Sequence, residues 1–452
     1  MAIIYGNKFV CLSVGIYEII KINGKRELIF GIFETSDYES ENNMDWNDTQ
    51  EQAAFRNQVQ GLLDSKLPQR YIDMGKEVHQ RERPWENDRK SEDPEARKAA
   101  EDWMEALSGE GWAAPHWPKE YGGGGLKPME QFILNQALAQ AGAPTVGGSG
   151  VSLLGPALIV HGTDEQKEKY LPPIMSGEVT WAQGFSEPGA GSDLAGLQTS
   201  AVRDGDEYVI NGQRIWTSAA HLNDAIFALT RTDPNAPKHR GISFLMIDDI
   251  NAPGLTIRPI VDMANKHYFN ETFFEDVRTP VSNLLGEENR GWYVGMTLLD
   301  NERSNIAGAV GSRKSLMALI DYLGTDDGKY RSHLGKRETG MRTELADRYI
   351  ETEVMFQFSF RVISIHNSGQ IPNYEASTSK LLNSELTQRL ARTGSQLFGL
   401  YGALWSEREA GDYVPVSYAG DYVQSVPATI RGGTSEIQRN IIATRGLGLP
   451  RG

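Results

Sequence analysis

The sequence predicts an α+β multidomain fold, with a helical domain on either side of a β domain. Three observations carry this reading. Apolar positions recur at helical spacing up to about residue 178, short β-rich runs with turn signals fill 179–287, and long helical patterns return from 288 onward. Strands and helices never alternate regularly, which argues against a parallel doubly wound sheet. No internal repeat is present.

The first 43 residues differ from the rest. Runs 16–22 and 27–33 are rich in β-formers and flank Asn23-Gly24, a hairpin signal. Residues 35–43 are acidic and polar, like a linker. Met44 opens the helical pattern, so 1–43 is read as an extension that is non-native or dispensable.

Residues 44–178 form the predicted N-terminal helical domain. Thr49 precedes a helix with Phe55, Val59, Leu62 and Leu63 on one face. Thr163 and Gln166 make a capping box for a short helix expected to run to Tyr170. The glycine run 122–125 reads as a flexible turn. In the middle domain, 208–210, Asn211-Gly212 and 214–216 read as strand, turn and strand. Further strands are expected at 224–230, 241–247, 255–259 and 269–274, a spacing that suits a small barrel or sandwich. The C-terminal domain, 288–452, is predicted to hold helices at 292–323, 341–366 and 375–400, and one starting near Ser435.

Composition narrows the function. A chain of 452 residues with 39% hydrophobic and 23% charged residues is an ordinary globular protein with a substantial core. Its net charge of −15 argues against general nucleic-acid binding, whose footprint is basic. The single cysteine, Cys11, precludes an intramolecular disulfide framework and suits a reducing compartment. No run reaches the roughly 18–20 apolar residues that span a bilayer. The stretch 9–20 is short and lacks a small-residue cleavage site, so stable membrane insertion is not expected and a cytoplasmic location is.

The most informative segment is Ser186-Glu-Pro-Gly-Ala-Gly-Ser-Asp193. Gly189 and Gly191 let backbone approach a ligand, and Ser186 and Ser192 supply hydroxyls. It is not a dinucleotide fingerprint, because position 194 is Leu and no helix pattern opens there. From chemistry alone it is either an ordinary inter-strand loop or a cofactor cradle.

With Phe185 before it, this segment resembles the flavin-contacting signature of the acyl-CoA dehydrogenase family. Asn211-Gly-Gln-Arg-Ile-Trp216 is similar to the family's second signature, in order and at a similar separation. Segments 162–172, 269–280, 286–292 and 433–439 continue the likeness, so that it covers about 44–449. The resemblance implies FAD held between the β domain and the C-terminal helices. Gln183, Phe185, Ser186 and Ser192 would line the ring and pyrophosphate. Trp216 would stack on the flavin with Ser218 near its N5 edge, although a Trp beside a Ser on a strand end could equally be core. Gly433, Thr434, Ser435 and Glu436, at a helix mouth, would offer amide donors. Gln396 and Gly399 match a segment that reaches a neighbouring subunit's FAD.

The implied reaction removes two hydrogens from an acyl-CoA thioester, yielding the trans-2-enoyl product. The α-proton goes to a base and the β-hydride to flavin N5. Such a base is a carboxylate whose pKa is raised in a dry pocket. Many relatives place it immediately before Gly-Thr-Ser, but here Gly432 holds that position and offers only a backbone N–H to the thioester oxygen. A second family branch carries the base on a C-domain helix before an Arg, which in this chain is Glu302-Arg303. Glu302 falls on the apolar stripe of its helix, three residues after Leu299, where a carboxylate is either paired structurally or functional. The missing base at 432 favours catalysis. Ser192, Asp300 and Arg303 are the expected substrate contacts.

One further departure concerns the adenine end of FAD. The stretch 330–341 lacks the Phe-Gly and Gln that relatives place there. Arg331, Arg337 and Arg342 either substitute or form a solvated face. The expected partners are acyl-CoA and an electron-transferring flavoprotein as acceptor, and the expected assembly is either a homotetramer or a heteromer with a related subunit. No metal is expected. Rival readings are a non-catalytic subunit completing a partner's site, and a flavin monooxygenase or oxidase on the same fold. The acyl chain stays open among short, branched, long, aromatic and steroid-like.

Overall fold

The computed structural model describes the strands within 2–27 and then residues 48–76, 83–300, 306–332, 338–405, 413–414 and 417–450. The chain divides into two units, 1–49 and 50–452. In the first, β1 (Ala2–Tyr5) pairs with β2 (Lys8–Cys11), and β3 (Ile20–Ile22) pairs with β4 (Lys25–Glu27), both antiparallel. In the β3–β4 pair Ile22 stands opposite Lys25, and the expected Asn23-Gly24 turn lies outside the described residues.

The second unit begins with helices α1 (Gln50–Lys66), α2 (Gln69–Lys76), α3 (Pro84–Arg89), α4 (Pro94–Gly109), α5 (Pro128–Ala141), α6 (Gly155–His161) and α7 (Asp164–Met175). Their starts follow local chemistry. Asp93 caps α4 by accepting from the Glu95 N–H at 3.0 Å, with Pro94 at the first helical position. The Thr163–Gln166 capping box forms in both directions, at 3.1 and 3.2 Å. Helix α7 runs past the expected Tyr170, through Pro172 and Pro173. Leu171, Ile174 and Met175 are all buried, and that packing outweighs the lost backbone bonds. The glycine run is no free linker. A Cβ at Gly123 would stand 2.4 Å from the Trp117 Cβ, so close packing selects glycine there.

Eight strands then build one mixed sheet: β5 (Trp181–Gly184), β6 (Ser200–Asp204), β7 (Glu207–Arg214), β8 (Ala225–Arg231), β9 (Ile242–Ile247), β10 (Leu255–Val261), β11 (His267–Pro280) and β12 (Leu284–Leu285). The order is β10-β11-β7-β6-β8-β9-β12, with β5 parallel to β8. Asn211-Gly212 is not the expected turn. It lies within β7 opposite a bulge in β11, where the register shifts between Phe274 and Val277. The Asn211 side chain closes the bulge, exchanging two 2.9 Å hydrogen bonds with Asp276. The real hairpin turn is one step earlier, between Asp204 and Glu207.

The C-terminal part holds α8 (Gly291–Asp300), α9 (Ile306–Gly324), α10 (Asp326–Arg331), α11 (Glu338–Asn367), α12 (Tyr374–Phe398), α13 (Tyr418–Ser425) and α14 (Ser435–Ile441). The expected helix over 292–323 is helical over α8 and α9, and 301–305 lie outside the described residues. One apolar core joins the N-terminal helices to the sheet, through Trp103, Trp117, Trp181, Phe227, Phe244 and Leu298. A second ties α5 to α9, α11 and α12 through Phe132, Ile306, Phe356 and Leu386. Helix α5 therefore fixes the first helical layer against the last. No described helix is long and apolar enough to cross a membrane.

Candidate active site

The loop 186–193 is held by a buried ion pair supplied by its own signature and the next one. Glu187 accepts from Arg214 Nη1 at 2.9 Å and from the amides of Gln198 and Thr199, both at 2.7 Å. Arg214 is fully buried and donates to the carbonyls of Phe185, at 2.7 Å, and Leu229. Burial pushes its guanidinium down to about 10, with Glu187 opposing the shift. The clamp presents Gly189, Gly191 and Ser192 outward, with open space where a Cβ would stand on either glycine. Ser186 is half-buried. Phe185 turns its ring into the core against Phe227 and Phe244, so only its backbone can meet a cofactor.

Beyond Arg214 the chain leaves the sheet through Trp216, whose φ of 62° is left-handed. Thr217 N–H donates to the Asn270 carbonyl at 3.0 Å, and the buried Asn270 amide returns a 3.0 Å bond to the Thr217 carbonyl. Between these anchors Trp216 is 54% exposed and meets Phe269 edge-on at 5.9 Å. It is therefore not core. Gln183, Trp216 and Ser218 line a cavity of about 790 Å³.

Helix α9 forms another wall with Ala307, Gly311, Lys314 and Ser315, which fall on one helical face. The N-terminal domain contributes Asn135 and Leu138 of α5, the segment 143–153, and Arg83 and Glu86 at the start of α3. Glu86 is buried, and burial raises its carboxyl above the usual range despite Arg83 at 3.1 Å. Burial lowers the Lys314 ammonium, which donates to the Gly75 carbonyl. Arg83, Glu86, Asn135 and Lys314 carry no periodic or motif signal in the sequence. Glu187 and Arg214 do, since they sit inside the two quoted signatures.

The other expected residues lie elsewhere or outside the described residues. Glu302, Arg303, Arg337 and the side chain of Asp300 fall outside them. Gly432 and Gly433 both have left-handed φ, 63° and 86°. Thr434 caps α14 by accepting from Ile437 N–H at 3.2 Å, and Glu436 occupies the first turn, its carboxyl lowered by its own backbone amide and Thr434. Ser435 Oγ is buried without a partner among the described residues. Lys380 of α12 ties the segment down through the Gly433 carbonyl at 2.6 Å. None of 432–436 lines the cavity within this chain. Gln396 is exposed at the end of α12, and Gly399 follows with φ 52°. Arg331 is engaged within the chain, donating to Tyr322 OH at 3.2 Å. No metal-ligating cluster occurs among the described residues.

Three matches cover this architecture. Residues 49–178 match the acyl-CoA dehydrogenase N-terminal domain, 182–277 its middle domain and 289–447 its C-terminal domain. The chain is 35% identical over 356 residues to acyl-CoA dehydrogenase IpdE1 of Mycobacterium tuberculosis, covering 77% of this chain and 88% of that protein. Among solved structures, the Tcur3481-Tcur3483 steroid ACAD superposes with TM-score 0.75 at 32% identity, covering 90% of this chain and all of that one. The ChsE4-ChsE5 complex from Mycobacterium tuberculosis gives TM-score 0.70 at 30% identity, again over 90% of this chain and all of that one. With all three domains matched in order on the observed helix–sheet–helix framework, the chain belongs to the acyl-CoA dehydrogenase family of oxidoreductases.

Proposed function

We propose that this chain dehydrogenates a bulky acyl-CoA between its α and β carbons, with FAD as cofactor and Glu302 as the base. The observation that carries the reading is the cavity of about 790 Å³, which has an exposed Trp, a hydroxyl and an amide on one wall and α9 on another. That donor set fits a flat heteroaromatic ring: Trp216 offers a stacking face, and Ser218 and Gln183 offer hydrogen bonds to its edge. Family members use FAD, which when bound supplies the two-electron acceptor for the β-hydrogen.

The remaining work falls to the chain's own groups. Glu302 stands four residues before Ile306, where α9 begins, and takes the α-proton. The Gly432 N–H stabilises the thioester oxygen as charge builds there. Leu138, Ala143 and Val146, on the cavity lining, exclude water from that space. Similarity to a solved structure titled a steroid ACAD favours bulky acyl groups. Similarity to two structures titled as two-protein assemblies supports a heteromer with a related subunit over a homotetramer. An electron-transferring flavoprotein is the proposed acceptor and the cytoplasm the proposed location.

Glu302→Gln tests the assignment. Anaerobic flavin bleaching by a bulky acyl-CoA is expected to slow by about 10²–10⁴-fold or more, with FAD content unchanged. Bleaching near the parent rate makes Glu302 structural. Turnover that needs oxygen, rather than an artificial acceptor under nitrogen, points instead to oxidase chemistry.

A further inference from the structure

The dehydrogenation just described leaves one charged cluster on the cavity wall without a task. Arg83 has φ 47° and ψ 61°, a left-handed backbone that a side-chain-bearing residue keeps only where its surroundings impose it. Its carbonyl accepts from the Asn87 N–H at 3.1 Å and from Asn87 Nδ2 at 3.0 Å. Its guanidinium donates through Nη1 to Glu86 at 3.1 Å and through Nε to the Tyr268 hydroxyl at 2.8 Å. Gly148, at φ 51°, backs the pair, and a Cβ there would stand 3.1 Å from Glu86 Oε1 and 3.4 Å from Arg83 Nη1. The Glu86 side chain is only 7% exposed, whereas that of Arg83 is 26% exposed. The guanidinium is thus aimed and locked while part of it stays open.

Arginine carries five N–H donors in a rigid fork, and its side-chain bonds among the described residues use two of them. Arg83 lines the same cavity as Trp216, reached from it through the Phe269 and Tyr268 rings, which meet at 4.7 Å. A purely hydrocarbon acyl group filling this cavity strips water from the remaining donors and gives them nothing in return. Sites built around a buried polar group reject ligands that lack its partner far more strongly than apolar pockets reject a missing methylene. Building on the dehydrogenase reading, we propose that Arg83, held by Glu86 and Tyr268, is a specificity-determining residue. It donates to a hydrogen-bond-accepting oxygen carried by the acyl group away from its thioester.

The test compares the FAD-loaded protein on three CoA thioesters of one fused-ring acyl skeleton: unsubstituted, bearing a ring ketone, and bearing a ring carboxylate. Anaerobic flavin bleaching gives kcat and KM for each. The parent is expected to favour at least one oxygenated thioester by about tenfold or more. Arg83→Met should lower kcat/KM for that substrate by about 10–100-fold, chiefly through KM, and change the unsubstituted one by less than about threefold. Tyr268→Phe keeps the ring contacts, leaves Arg83 paired with Glu86, and should reproduce the selective loss at about 3–10-fold. A ketone preference or a carboxylate preference each supports the proposal and identifies the oxygen. Equal losses on all three substrates, or a parent indifferent to the oxygen, overturn it while leaving dehydrogenation intact. If no thioester bleaches the parent, the dehydrogenase reading fails and this inference with it.

Discussion

Replacing Glu187 by Gln keeps the side chain's shape and removes one charge from a buried pair. The carboxylate has three donors around it: two backbone amides at 2.7 Å and Arg214 Nη1 at 2.9 Å. A glutamine turns one acceptor oxygen into an NH₂ group, so at least one of those donors then faces another donor. The residues are 8% and 0% exposed, which leaves no water to compensate. Arg214 stays ionised near neutrality even with its pKa pushed down to about 10, so its charge is left buried without a counter-charge. Breaking a buried pair from one side costs about 3–5 kcal/mol. For a unit spanning 50–452, at about 2.1 cal/mol/K of unfolding entropy per residue, that is a Tm lower by roughly 4–6 °C. Thermal melts followed by tryptophan fluorescence measure it, and FAD retention on gel filtration should fall as well, because the pair shapes the exposed 186–193 loop. Adding Arg214→Met should recover part of the loss, since the stranded charge is then gone. A Tm within about 2 °C of the parent, or two losses that simply add, refutes the reasoning.

Gly155→Ala would put its Cβ 1.7 Å from Trp117 Cζ2, on a ring that is fully buried and whose Nε1 bonds the Val151 carbonyl at 3.0 Å. The ring must shift, and a stability loss of about 1–3 kcal/mol or more is expected in thermal melts; a neutral variant contradicts this packing. Burial lowers the His116 pKa from 6.5 to about 4, so the folded state binds fewer protons than the unfolded chain. Its contribution is complete above pH 6.5 and is lost as pH falls toward 4, at most about 3 kcal/mol. His116→Gln should accordingly flatten the acid limb of Tm against pH, and an unchanged limb counts against the burial argument. A chain starting at Met44 should keep its FAD and its bleaching rate, because residues 1–49 form a separate unit and the family match begins at 49; loss of either overturns this.

The succession helix, sheet, helix was legible in the residues because it rests on local periodicity, and so was the Thr163 cap, which needs only a side chain and an amide three residues on. Local rules misjudged cases where distant contacts decide. Asn211-Gly212 has the chemistry of a turn, but the bulge of β11 lies beside it and uses the same asparagine to stay paired. The helix expected to run to Tyr170 continues through Pro172 and Pro173, because the buried residues around them keep α7 helical. The two signatures were visible as strings of residues, whereas the Glu187–Arg214 pair that joins them comes from the fold, which brings residues 27 apart into a water-free contact. The cavity wall was the least legible part. Arg83, Asn135 and Lys314 come from three separate elements and follow no common period. Only packing of the N-terminal helices against the sheet and α9 turns them toward one space, because the direction of a side chain in a cavity is set by tertiary contacts and not by its neighbours in sequence.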